Sequence, residues 1–157
     1  MPFPPRPVDA TLHGVLDYQA GALLTTVFPR LAGIEGTPAA AQIRTAGAVH
    51  AGYSVLTDYP LGVVKAIPYK AHLAIDAIGA VALAATPFVT GQWKKGRSQW
   101  VPHVALALFE LASLAVSDPT GRGDYHGDVE AVREANMEDP HRKIYDGGPA
   151  VARIGFG

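Results

Sequence analysis

The chain has 157 residues, a net charge of -1 and no cysteine, and its length fits one domain. The near-neutral charge, without a basic stripe to neutralise phosphates, argues against nucleic acid as a partner. The absence of cysteine excludes disulfides, thiolate nucleophiles and cysteine-ligated metal.

Residues 1–9 form a proline-rich arm, with four prolines among the first seven residues. Such an arm cannot be the helical apolar region of a signal peptide. Four apolar segments follow, and we predict helices over about residues 10–30, 39–57, 70–90 and 101–117. Over residues 10–29, 39–57, 71–93 and 101–117 the only formal charges are, in chain order, Asp17, Arg44, Asp76 and Glu110.

Polar side chains on these helices fall in narrow stripes. On the fourth helix His103, Glu110 and Ser117 recur at seven-residue intervals and therefore share one face. A soluble amphipathic helix has the reverse pattern, with a broad polar face and an apolar stripe. About 20 apolar residues cross a bilayer, with roughly 17 as a lower limit. We therefore predict an all-α, four-helix transmembrane bundle over residues 10–117, with a tightly packed soluble bundle as the alternative.

An internal repeat relates the two halves of this domain. His13 precedes Asp17 by four residues, His72 precedes Asp76 by four, and each apolar run closes with Pro-x-x-x-Gly. The intervals from histidine to this proline are 16 and 15 residues, so the copies align with one slip. Because the connections are short, neighbouring helices should be antiparallel. We predict two repeated helical hairpins in the bacterial inner membrane, with both termini on the same side.

Three motifs lie within residues 11–118: the doubled His-x-x-x-Asp, the doubled Pro-x-x-x-Gly, and Thr57-Asp-Tyr-Pro-Leu-Gly62. Together they resemble small bacterial integral membrane proteins of the SPW-repeat type, named for a Ser-Pro-Trp signature where each repeat ends. Here the signature positions read Phe28-Pro29-Arg30 and Thr86-Pro87-Phe88, without Ser or Trp. The resemblance implies a four-helix membrane domain and leaves the function open.

Six ionisable side chains inside the helices form the candidate site. A histidine and an aspartate four residues apart share one helix face, and packing about a pseudo-twofold axis would pair His50 with Glu110. Imidazole plus carboxylate from facing helices is the ligand set of bundle metal sites, although the Glu-x-x-His pattern of di-iron proteins is absent. The favoured interpretation is nevertheless a metal-free polar clasp, in which each carboxylate fixes its imidazole; a metal or haem site and a proton relay are the alternatives. The six are His13, Asp17, His50, His72, Asp76 and Glu110.

Aromatic side chains at the predicted helix ends are expected at the membrane–water interface. His103, in the first turn of the fourth helix, is expected to contact head groups or a loop. No phosphate-binding loop, nucleophile elbow or His-Glu-x-x-His motif is present, so we predict no enzymatic activity. The interface candidates are His103, Trp93, Trp100, Tyr59 and Tyr69.

Residues 118–157 form a polar, mostly irregular tail with one candidate helix at 128–137. We expect this tail to lie over partner subunits. The first prediction is therefore a non-catalytic accessory subunit of a larger bacterial membrane complex of respiratory or photosynthetic type, contacting the bilayer and other membrane subunits. The alternatives are a metal- or haem-binding membrane protein and a small proton carrier or channel. No cofactor is predicted outright; metal or haem belongs to the first alternative, and neighbouring subunits can contribute bound lipids or pigments.

Overall fold

The computed structural model describes residues 6–121, and this part of the chain contains five α-helices. The predicted helix at 128–137 and nearly all of the predicted tail lie outside the described residues. Two short strands, β1 (Thr57–Asp58) and β2 (Ile67–Pro68), pair in parallel. Turns of 3-10 helix at Gln92–Lys95 and Arg97–Gln99 precede the last helix. The helices are α1 (Ala10–Thr25), α2 (Phe28–Leu31), α3 (Pro38–Val55), α4 (Tyr69–Val89) and α5 (Val101–Val116).

Local side-chain chemistry sets the ends of α1. The Asp9 side chain accepts a hydrogen bond from the backbone N–H of Leu12 and so caps the first turn. The hydroxyls of Thr25 and Thr26 donate to carbonyls of the preceding turn, and α1 ends there. Pro29 then lies in the first turn of α2. The predicted helix over residues 10–30 is therefore two helices.

The predicted four-helix transmembrane bundle is wrong. Among the described helices only α4, with 21 residues, is both long and apolar enough to cross a bilayer. The helices α1 and α5 have 16 residues each, which is short of the roughly 20 that a span needs. The 18 residues of α3 include Gln42, Arg44 and His50, which lower its hydropathy. One apolar helix is a weak sign of a membrane protein, and residues 10–117 are better described as a small helical domain.

The helices pack as two pairs, α1 against α3 and α4 against α5. Glycine allows the first pair to approach closely, because a Cβ added to Gly47 would lie 2.6 Å from the Cβ of Leu24. A Cβ added to Gly21 would meet α3 at 2.8 Å. The repeat-equivalent positions in α4 and α5 are Ala80 and Ala107, which are both buried. The second pair therefore accommodates a methyl group where the first does not.

Parallel pairings connect the ends of the two repeats. Ile67 pairs with Thr57, and Val8 pairs with Ser117. Val8 and Ile67 are equivalent positions of the repeat, and so are Thr57 and Ser117. The start of each repeat therefore pairs with the end of the other, and this exchange brings two hydroxyl groups to the buried histidines.

Candidate metal centre

Two histidines and two aspartates converge between α1 and α4. His13 Nε2 lies 3.4 Å from Asp17 Oδ1 and 3.2 Å from Asp76 Oδ2. His72 Nε2 lies 3.0 Å from Asp17 Oδ2 and 3.1 Å from Asp76 Oδ2. Each histidine thus contacts both carboxylates, and no side chain of the four is more than 3 % exposed. The helical spacing of His-x-x-x-Asp places each pair on one face, as predicted, and the packing of α1 on α4 joins the pairs.

Hydroxyl groups fix the orientation of both imidazole rings. His13 Nδ1 lies 2.9 Å from Ser117 Oγ, whose own proton is donated to the carbonyl of Ser113. His72 Nδ1 lies 2.7 Å from Thr57 Oγ1, whose proton is donated to the carbonyl of Tyr53. Because a hydroxyl has one proton, each must accept from its histidine. Both rings therefore carry hydrogen on Nδ1 and turn Nε2 toward the aspartates.

His50 approaches the same carboxylates from α3. The Tyr53 hydroxyl donates to Asp76 Oδ1 at 2.6 Å and must accept from His50 Nδ1 at 2.9 Å. His50 Nε2 then faces Asp17 Oδ1 at 3.3 Å, with the His50 side chain 12 % exposed. Three histidines therefore turn Nε2 toward two carboxylates, and the Nδ1 of each histidine donates to a hydroxyl oxygen.

The contacts between the histidine nitrogens and the aspartate oxygens are short, but most of them lack the angles of a hydrogen bond. Within residues 6–121, His50 Nε2, His72 Nε2 and Asp17 Oδ2 have no hydrogen-bond partner, although each is buried. A neutral imidazole with hydrogen on Nδ1 has a lone pair on Nε2, and this lone pair repels a carboxylate oxygen. The arrangement therefore requires a positive charge at the centre, supplied by a proton on the ring or by a metal ion.

Protonated imidazole is the form that the cluster itself favours. Burial alone would raise the pKa of Asp76, but the contacts with His13 and His72 outweigh burial and lower it. Burial also opposes the ionised form of Asp17, whose pKa is lowered by His50 and His72. Burial would lower the pKa of His72, yet the two carboxylates raise it to about 9. Without a metal ion, His72 is an imidazolium between two carboxylates.

Glu110 lies beside this centre on α5. Ligand atoms of His50, Asp76 and Glu110 all lie within 4.8 Å of one another. Burial and the nearby Asp76 charge raise the pKa of Glu110, while the charge of His50 partly offsets them. His50 and Glu110, which occupy equivalent positions of the repeat, therefore both lie beside Asp76.

The interface candidates lie in contrasting surroundings. Tyr59 and Tyr69 are buried against the ring of His72, with ring centroids 5.5 and 6.3 Å away, instead of marking a helix end at an interface. Trp93 is 48 % exposed. His103, expected at a head group or loop, is fully buried, and neither ring nitrogen has a hydrogen-bond partner in the described part of the chain. Burial lowers its pKa. Trp100 packs on Phe88 with centroids 5.9 Å apart.

Sequence reasoning missed three members of the cluster, the hydroxyl residues Tyr53, Thr57 and Ser117. Thr57 and Ser117 occupy equivalent positions of the repeat, which was a usable signal. The repeat gave no such signal for Tyr53, because the equivalent residue is Ser113 and not a second tyrosine. Its role depends on the rotation of α3 against α4, which periodicity does not determine.

The distances match those around a small metal ion. In a tetrahedral site with ligands about 2.0–2.1 Å from the ion, neighbouring ligand atoms are about 3.3 Å apart. The contacts of His13 and His72 with the carboxylates range from 3.0 to 3.4 Å, and the ligand atoms of all four residues lie within 4.8 Å of one another. This buried His/Asp cluster could hold a metal ion.

Comparisons of the chain with protein-family models, curated proteins and solved structures found no significant match. The SPW-repeat resemblance, the location in the bacterial inner membrane, the partner subunits and the absence of enzymatic activity accordingly stay predictions.

Proposed function

We propose that the protein binds a divalent transition-metal ion through His13, Asp17, His72 and Asp76, and that the ion fastens the two helix pairs together. The observation that carries this proposal is the convergence of two buried Nε2 atoms and two carboxylates at ligand-to-ligand distances. Two carboxylates balance the charge of one divalent ion, which a buried site requires. The ion would replace the ring proton that supplies the positive charge in its absence.

The hydroxyl groups that accept from the two histidines support the proposal. Metal-binding histidines almost always donate their other ring N–H to an oxygen, which fixes the tautomer and the ring direction. His13 and His72 donate in this way to Ser117 and Thr57. Each hydroxyl belongs to the opposite helix pair, so ligand orientation depends on the pairs being together.

The chemistry of the ligands narrows the ion and its role. Imidazole with carboxylate suits Zn²⁺, Fe²⁺ and Mn²⁺, whereas Cu⁺ prefers the thiolates that this chain lacks. Four ligands that are at most 3 % exposed form a closed site. Closed four-ligand sites are typical of structural metal ions, while catalytic ions keep a position open to substrate. We therefore assign the ion a structural role.

Zn²⁺ titration of chelator-treated full-length protein tests this proposal. We expect one tightly bound ion, with thermal stabilisation of about 4 kcal/mol when free Zn²⁺ is 1,000 times Kd, or on the order of 10 °C. His13→Gln and His72→Gln should lose both effects. His103→Gln is the matched control, because it removes a buried histidine outside the cluster. Retention of stoichiometric Zn²⁺ by His13→Gln and His72→Gln alike, or no binding by the native chain, would refute the proposal.

Proton release separates metal binding from the metal-free clasp. A bound ion must displace the proton that the His72 imidazolium carries. The calorimetric enthalpy of Zn²⁺ binding should therefore vary with the ionisation enthalpy of the buffer at pH 7. A purely proton-paired clasp gives no such dependence, because it binds no ion. The accessory-subunit and proton-carrier roles stay predictions.

A further inference from the structure

We propose that the cluster is a dinuclear centre, in which a second divalent ion is bound by His50 and Glu110 and is bridged to the first ion by Asp17 and Asp76. This inference rests on the proposed function and deepens it. The first position is the closed one between His13 and His72. The second lies on the α3–α5 side of the same two carboxylates.

The two oxygens of each aspartate face different neighbours. Asp17 Oδ2 is 3.0 Å from His72 Nε2, while Asp17 Oδ1 lies between His50 Nε2 at 3.3 Å and His13 Nε2 at 3.4 Å. Asp76 Oδ2 is 3.1 Å from His72 Nε2, while Asp76 Oδ1 receives the Tyr53 hydroxyl at 2.6 Å. Asp17, which divides its oxygens between His72 and His50, is oriented to bridge two ions. Asp76 belongs to both groups of candidate ligands. Ions in two-metal sites are about 3.5–4 Å apart, which such a bridge spans.

His50 supplies a directed ligand for the second position. Its Nδ1 donates to Tyr53, and its Nε2 is buried without a hydrogen-bond partner among residues 6–121. Ligand atoms of His50, Asp76 and Glu110 lie within 4.8 Å of one another. The second position thus has the same combination of oriented imidazole and carboxylate as the first. With the bridging Asp17 included, its ligands come from α1, α3, α4 and α5.

Charge and exposure favour two ions of unequal affinity. A single divalent ion balances Asp17 and Asp76, and two ions facing Asp17, Asp76 and Glu110 need only one further anion, such as hydroxide. His50 is 12 % exposed and Glu110 is partly buried, whereas His13 and His72 are almost completely enclosed. The second ion should therefore bind more weakly and exchange faster. Water reaches this position more readily than the first.

Co²⁺ and Mn²⁺ titrations of the full chain test the dinuclear arrangement. We expect about two Co²⁺ per chain in two resolved steps, and a spin-coupled electron paramagnetic resonance signal from the Mn²⁺-loaded protein, since bridged ions about 3.5–4 Å apart interact magnetically. Glu110→Gln and His50→Gln should each reduce the stoichiometry from about two to about one and abolish the coupling. Glu35→Gln is the control, because Glu35 is an exposed carboxylate paired with Arg44.

The outcomes distinguish this inference from the proposed function. One tightly bound ion in the native chain, unaffected by Glu110→Gln and His50→Gln, overturns the dinuclear centre and leaves the single site intact. Two ions without magnetic coupling also overturn it, because the sites would then be unbridged. No bound ion overturns both proposals. Loss of only the weaker step in both variants, with the tight step and the thermal stability retained, supports the dinuclear centre.

Discussion

The two helix pairs supply equivalent residues to the cluster where the cluster is buried deepest and different residues where it is more exposed. His13 and Asp17 on α1 match His72 and Asp76 on α4, and the hydroxyl of Ser117 matches that of Thr57. The equivalent residues lie at the closed centre. Symmetry is therefore kept where each half must orient a ligand for the other.

Four positions break the symmetry. Residues of α3 are replaced by residues of different chemistry at the equivalent positions of α5, and each difference has a structural correlate. A histidine corresponds to a glutamate, a phenol to a small hydroxyl, a close glycine contact to an alanine contact, and an apolar core residue to a buried histidine. These pairs are His50 and Glu110, Tyr53 and Ser113, Gly47 and Ala107, and Ile43 and His103.

Removal of one central carboxylate should have the largest effect on stability. Asp17→Ala and Asp76→Ala each leave the buried His72 imidazolium with only one of its two carboxylates, and we expect a loss of up to about 3–5 kcal/mol in the free energy of unfolding. Asp76→Ala should cost more, because it also removes the acceptor of Tyr53. Urea unfolding with chelator present measures both. Asp58→Ala, at an exposed carboxylate, is the control; equal effects at all three positions would contradict the buried ion-pair network.

Interchange of glycine and alanine at the equivalent positions 47 and 107 should have the next largest effect on stability. Gly47→Ala inserts a methyl group 2.6 Å from the Leu24 Cβ and should cost about 1–3 kcal/mol. Ala107→Gly, the equivalent change in α5, should cost roughly 0.5–1 kcal/mol through chain entropy, with up to about 0.8 kcal/mol more from the lost buried methyl group. Thermal denaturation of the two variants measures the difference. A smaller loss for Gly47→Ala than for Ala107→Gly would show that the pairs pack alike.

Removal of the Thr57 and Ser117 hydroxyls tests whether these equivalent positions have the same role. Thr57→Val and Ser117→Ala each leave a buried Nδ1–H without its acceptor, and we expect about 1–2 kcal/mol lost from each. The affinity for Zn²⁺ should fall about 10- to 100-fold in both variants, because the ligand ring is no longer held. Titration against a competing chelator measures that affinity. Unchanged affinity in either variant would mean that the hydroxyl does not orient its histidine.

Replacement of His103 by the residue of the other repeat should have the smallest effect and the opposite sign. His103→Ile removes a buried imidazole without hydrogen bonds and should stabilise the protein by about 1 kcal/mol at pH 7.

The same variant has a defined pH dependence. Because the folded pKa of His103 lies below the ordinary 6.5, the unfolded chain binds the extra proton, and stability contributed by the neutral ring is lost as pH falls below about 6.5. Unfolding curves between pH 7 and 5 should therefore be less steep in pH for His103→Ile than for the native chain. Parallel curves would place His103 in contact with water.

The sequence was sufficient to locate the helices and to group the buried polar residues. The spacing of His13 and Asp17, repeated in His72 and Asp76, predicted side chains on one helix face, and the structure brings those side chains together. Which carboxylate each histidine contacts was not predictable, because it depends on how α1 packs on α4. The roles of Thr57 and Tyr53 depend on that same packing.

The predicted class of fold, a four-helix transmembrane bundle, was wrong, and particular residues explain why. Apolar composition was taken as continuous helix over residues 10–30, but Thr25 and Thr26 end α1 with side-chain bonds to the backbone. Narrow polar stripes were taken to mean lipid on the remaining faces. The polar residues do face inward, yet only α4 has the length and composition of a membrane span among the described helices.

The exchange of ends between the repeats has a consequence for assembly. His13 donates to Ser117 and His72 donates to Thr57, so neither helix pair alone contains a complete set of ligands and supports. A chain of half this length could complete the cluster only by associating with a second copy of itself, at a rate that depends on concentration. In this chain the short connection between β1 and β2 tethers the second repeat to the first, at an effective concentration on the order of millimolar. Closure of the cluster thereby becomes a property of one molecule.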